Sequence, residues 1–366
     1  MNNNKPTVAF FGSSLVSAYW NGAATYYRGI IKYLHRLGYQ VTFYEPDAYE
    51  RQQHRDLHDP DWARSVVYEN NSLAVAQAVN DAAGADILIK ASGVGVFDEF
   101  LEKALVEIKK PRQTIIFWDV DAPATLDSVF SGTKSDFRNL IPQYDYVFTY
   151  GGGNPVIDAY KSLHAKKCIP IYNALDPETH FRVPADPAFE CDLAFLGNRL
   201  PDREERVYQF FIDVASRLPD HKFILGGSGW DSSVLPPNIK YVGHVYTNDH
   251  NAFNSTPKVV LNISRQSMAD YGFSPATRVF EAAGAGACII TDFWAGVERF
   301  FVPEKEIWVA HEGDDVVSLL KWIDTEEAEK MGKAALAKVL SEHTYKQRAQ
   351  QIDDILLGKK KSAANL

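Results

Sequence analysis

Residues 273–292, FSPATRVFEAAGAGACIITD, decide how this chain is read. Ser274 and Pro275 read as a helix start, with the serine as cap and the proline at the first helical position. Arg278 and Glu281 lie three apart, so they share one helical face. Ala282, Ala283, Gly284 and Gly286 let that helix lie close to a sheet or a ligand, and ACIITD then reads as a short apolar strand. The free amides of a helix start attract anions, and a guanidinium forks onto phosphate. A carboxylate can accept hydrogen bonds from both hydroxyls of a ribose. The stretch therefore holds groups a nucleotide needs, although an amphipathic helix with an internal Arg–Glu pair fits these residues equally well.

The neighbouring stretches separate the two readings. FLGNRLPDREER places Gly197, Asn198, Arg199 and Arg203 directly after an apolar run. FILGGSGW ends a run with Gly226, Gly227 and Gly229, where amides could meet a diphosphate. YVGHVY supplies Gly243, His244 and Val245, and LNISRQ supplies Asn262 and Arg265. Each leaves a predicted strand at its carboxyl end. None of them makes a G-x-G-x-x-G fingerprint. The first half alternates in the same way: TVAFFG, QVTFYEP, ADILIKAS, QTIIFWDVD and YDYVFTYGGG read as strands between helical stretches. Gly12 sits in the turn after the first strand. Asp119 and Asp121 end another strand, where a carboxylate could deprotonate a hydroxyl. The polar stretch 51–65 reads as a mobile loop.

This pattern predicts an α/β chain with two doubly wound, Rossmann-like domains and ligands in the cleft between them. The expected division is a first domain at 1–173, a Pro-rich linker at 174–190, a second domain at 191–340 and a terminal helix at 341–357. A length of 366 residues fits two domains better than one. The net charge of −9 argues against a nucleic-acid partner. Three cysteines without a C-x-x-C pair argue against a disulfide framework or zinc site. No metal site is expected. No apolar run is long enough to span a bilayer, so a cytoplasmic protein is expected. The basic tail GKKKSAANL offers at most a weak peripheral contact with an anionic membrane.

The order FLGN…R, YVGHV, VVLNIS and RVFEAAGAGACIITD resembles the donor-binding half of GT-B glycosyltransferases. Within the group 1/family 4 superfamily it is most similar to the CgeB-like (spore-maturation) branch. IPIYNALDPETHF resembles the link between the two halves in that superfamily, and SEHTYKQRAQQIDDIL resembles the terminal helix that crosses back to the first domain. The resemblance implies transfer of a sugar from a nucleotide-diphosphate sugar, UDP favoured, to an unidentified glycan, lipid, protein or small-molecule acceptor. It implies no cofactor beyond that substrate and no metal. Glu281 falls where the donor ribose is held; Arg278, Arg265 and the Ser274 helix start fall where phosphates lie; Gly243, His244 and Val245 fall where the base is read. Gly12, Asn198, Arg203 and Gly229 complete the donor set, with Asp119 and Asp121 as candidate bases. Many retaining members carry a second glutamate eight positions before the ribose glutamate; here that position is Phe273. A nucleotide-sugar epimerase or hydrolase and a non-catalytic nucleotide-sugar binder are the alternatives. A dinucleotide oxidoreductase fits least.

Overall fold

The computed structural model describes residues 5–358; the basic tail therefore lies outside the described residues. The chain forms two compact units. One runs to Tyr172 and resumes at Tyr345; the other is Asn173–Thr344.

The first unit is built on seven strands: β1 (Thr7–Phe11), β2 (Gln40–Asp47), β3 (Arg64–Glu69), β4 (Ile87–Ala91), β5 (Thr114–Asp119), β6 (Tyr146–Thr149) and β7 (Cys168–Pro170). They lie in the order β3-β2-β1-β4-β5-β6-β7, all parallel. β1, β4 and β5 are apolar runs buried almost throughout, because helical crossovers cover both faces of such a sheet. The strand order reverses between β1 and β4, so the switch-point crevice of this sheet opens there.

The helix Ala24–Arg36 ends at Gly38, whose φ of +95° suits glycine. The terminal helix Tyr345–Leu356 packs against it so closely that a β-carbon at Gly29 would stand 2.2 Å from the Tyr345 ring. Asn71 caps the helix Ser72–Ala82 by accepting from the Ala74 amide at 2.8 Å.

The second unit carries β8 (Leu193–Leu196), β9 (Phe223–Gly226), β10 (Ile239–Gly243), β11 (Val259–Asn262), β12 (Ile289–Asp292) and β13 (Trp308–Ala310). Their order is β10-β9-β8-β11-β12-β13, again parallel throughout. The strand order reverses between β8 and β11. The stretch 174–190, read from sequence as a linker, is tied into this unit. Leu175 donates to the His343 carbonyl at 2.8 Å, and the amides of Phe181, Val183 and Asp186 donate to side chains of Asn251, Ser255 and Thr256.

Three strands escape the sequence reading. β3 alternates within a polar surrounding at the sheet edge, and β7 and β13 are three residues each, too short for periodicity to register. Among the described residues no helix is long and apolar enough to cross a membrane.

Candidate active site

Around β8 and β11 the second sheet presents its carboxyl edge as a set of interlocked loops. Gly197 donates to Gly226 O at 2.9 Å, Ser228 donates to Asn198 Oδ1 at 2.9 Å, and Gly227 donates to Gly243 O at 2.6 Å. Gly227 has φ +114°, and a β-carbon there would lie 2.3 Å from Gly197 O. Only glycine allows the two loops to meet. The Gly227 amide is thus engaged within the loops and is not open to a diphosphate. Gly229 is exposed with φ +90°, beside Arg199.

Three arginines gather on this edge. Arg203, on the helix Pro201–Val207 that follows β8, is buried with its guanidinium 5.6 Å from the Phe195 ring centre. It donates to the Asn198 carbonyl. Arg278, on the helix Thr277–Gly284, stands 5.5 Å from the same ring and donates to Asn262 Oδ1 at 3.3 Å. Asn262 is oriented by its own bond to Thr291 Oγ1, 2.9 Å away. Arg265, after β11, pairs with Asp202 at 2.9 Å. Burial first, then the charges of Arg278 and Arg265, push Arg203 down to about 9. Burial likewise lowers Arg278 against the opposing pull of Glu281 and Asp292. Arg265 is charge-paired with Asp202, so Arg203 and Arg278 are the cations placed to meet an incoming anion.

The structure corrects the helix start. Ala276 occupies the N-cap position and offers no side-chain cap, and the helix begins at Thr277. Ser274 Oγ instead donates to the Gly272 carbonyl at 2.9 Å, so Ser274 closes the preceding turn rather than capping the helix. Glu281 is partly buried beside His180 and His250. Its neighbours escaped the sequence reading because they lie about 100 and 30 residues away in the chain. Burial lowers the pKa of His250, which Glu281 opposes. His244 is exposed, edge-on to Tyr246 at 4.7 Å. Val245 is buried in a small apolar cluster, and its carbonyl meets His250 Nε2 at 3.2 Å. Gly243 has φ +70° and open space where a side chain would stand.

In the first unit, Asp119 is fully buried. It accepts hydrogen bonds from Ser92 Oγ (2.7 Å), Thr125 Oγ1 (2.9 Å), Tyr160 Oη (2.5 Å) and the Asp121 amide (3.1 Å). Burial raises its pKa against those donated bonds. With no oxygen open to a substrate, Asp119 anchors the loops after β4 and β5; the reading of it as a base is corrected. Asp121 lies beyond the strand, at the N-cap of the helix Ala122–Phe130, and is partly exposed. Strand alternation therefore does not relate the two.

Gly12 lines a small cavity at this edge together with Ser13, Lys90, Ser92 and Asp98. A β-carbon on Gly12 would press into the Phe43 ring at 2.6 Å, so packing explains the glycine. The sequence reading also missed Glu45 and Arg51, both fully buried. Glu45 accepts from Ser14, the Leu15 amide and Gln52. Arg51 donates to the carbonyls of Ser13 and Val94. With the forked pair of Arg28 and Asp56, they tie down the loop that the sequence reading took as mobile.

Residues 203–354 match a protein family described as glycosyl transferase-like. No curated protein matches the chain. HepE of Anabaena, solved in complex with UDP and glucose, superposes with a TM-score of 0.69 at 13% identity, over 97% of this chain and 100% of that one. Sucrose-phosphate synthase of Thermosynechococcus elongatus gives 0.70 at 12% identity, over 97% and 99%. An α-glucosyltransferase in complex with UDP-glucose and DNA containing an abasic site gives 0.70 at 14% identity, over 96% and 99%. The two parallel sheets form the GT-B fold, and with the glycosyl transferase-like segment they define the class of protein: a glycosyltransferase.

Proposed function

We propose that the protein transfers a sugar from a UDP-sugar to an acceptor, and that it falls in the CgeB-like branch of its superfamily. The observation that carries this reading is the group of Arg203, Arg265 and Arg278 at the β8/β11 switch point, within or against the glycosyl transferase-like segment. The choice of UDP draws support from HepE, solved with UDP and glucose, and from the α-glucosyltransferase solved with UDP-glucose. In this reading the diphosphate lies against the arginines. As the bond between the sugar and the diphosphate breaks, negative charge builds on the departing oxygen, and fixed cations stabilise it. That step calls on no metal. Glu281 accepts hydrogen bonds from the ribose hydroxyls, and the loop Gly243–Val245 borders the base. Asp121, rather than Asp119, is the carboxylate suited to deprotonate an acceptor hydroxyl in an inverting transfer.

Incubation with UDP-glucose and UDP-galactose in the presence of a panel of saccharides and lipids tests the reading. Release of UDP that depends on an added acceptor is the expected result. Absence of any binding of UDP or either UDP-sugar contradicts it.

A further inference from the structure

His180, His250 and Glu281 come from three separate places: the segment after the junction at Asn173, the helix His250–Ser255 and the helix Thr277–Gly284. One potential ligand atom from each lies within 4.8 Å of the other two. Thr179 Oγ1 lies 3.2 Å from the Asp176 carbonyl and 3.0 Å from His180 Nδ1. Nε2 of His180 faces Glu281 Oε1 at 3.7 Å. On His250, Nε2 meets the Val245 carbonyl, an acceptor only, at 3.2 Å, which leaves Nδ1 as the nitrogen able to bind a metal. Two imidazoles and a carboxylate converging in a largely buried place offer a cation two neutral donors and one negative charge.

We propose that His180, His250 and Glu281 hold a zinc-class divalent cation. Two imidazoles and a carboxylate form a donor set suited to zinc, and partners on the distal imidazole nitrogens are the usual support of such ligands. Tetrahedral bonds of about 2.1 Å place donor atoms roughly 3.4 Å apart, so side-chain movements of under about 1 Å close the site. The fourth position is left to water or to a hydroxyl of a bound ligand. The cation pins the segment 174–183 to both helices. The site goes beyond the donor reading and does not replace the arginines, since the second oxygen of Glu281 stays available to a ribose.

Tag-free, chelator-stripped full-length protein is titrated with Zn²⁺ by calorimetry and with Co²⁺ by visible absorption. One equivalent of each is expected, with the intense bands of tetrahedral cobalt. His180→Ala and His250→Ala are each expected to weaken binding at least a hundredfold, whereas His58→Gln, on an exposed loop, leaves it unchanged. Circular dichroism checks that the variants fold. If they do not, imidazole ¹⁵N shifts of the wild-type protein on Zn²⁺ addition carry the test, and those of His180 and His250 must move. Wild-type protein that takes up neither metal, unmoved imidazole shifts, or folded variants that bind like wild type overturn the proposal. UDP titrated into the stripped protein reads the donor reading separately.

Discussion

Arg203 and Arg278 both rest their guanidinium groups against the buried ring of Phe195, 5.6 and 5.5 Å from its centre. An aromatic face holds such cations without neutralising them, so their charge stays available to a phosphate. Lysine keeps the charge but loses the planar fork. Arg278→Lys is therefore expected to turn over UDP-sugar more slowly than wild type, and Arg278→Ala more slowly still; steady-state kinetics on the three proteins checks the order. The two aspartates should separate by a different measurement. Asp119→Ala strands four donors, those of Thr125 and Tyr160 in buried bonds, and should lower stability by at least about 3 kcal/mol, read as a lower denaturation midpoint. Asp121→Asn should leave the midpoint unchanged and cost at least about a hundredfold in turnover if transfer inverts. From sequence the two residues shared one strand face as i and i+2, with Asp119 slightly favoured as the base. The strand stops at Asp119, and no local pattern marks that stop.

At the scale of elements, the loops after β8, β9 and β10 were legible because each follows an apolar run with Gly, Asn or Arg at a fixed place. Their mutual locking was not. Gly227 sits at φ +114° with the Gly197 carbonyl 2.3 Å from where a β-carbon would go. Gly227→Ala is expected to cost about 3 kcal/mol through backbone strain and the clash together, and to widen the gap between the loops. Thermal denaturation checks the loss; a midpoint equal to wild type contradicts the packing described. The helix around Arg278 shows the opposite case. Ser274-Pro275 is a good start signal, yet the Gly272 turn takes up the serine hydroxyl and the helix begins at Thr277. Tertiary geometry overrides a local cap where a neighbouring carbonyl competes for the same side chain.

For the whole molecule, alternation of apolar runs and helical stretches was enough to read two parallel sheets, and the structure has them. The division of the chain was less visible. Prolines marked 174–190 as a linker, but that stretch is bound to the second unit through backbone amides. Composition reports where a helix cannot run, not what the extended chain binds. The terminal helix closes the first unit through Gly29 and Tyr345, residues more than three hundred positions apart. The cluster at Glu281 was invisible for the same reason, since its histidines are brought in by chain folding alone.

The account rests on the second unit seating a nucleoside diphosphate at the β8/β11 switch point. Calorimetric titration of UDP into wild type, Arg278→Ala and Glu281→Ala measures that directly. One UDP per chain is predicted for wild type. Each variant is predicted to bind at least about tenfold more weakly, as loss of a charge-assisted hydrogen bond costs about 1.5–3 kcal/mol, with its thermal midpoint held. Wild-type protein that binds no UDP, or variants that bind it as tightly as wild type, would contradict the account.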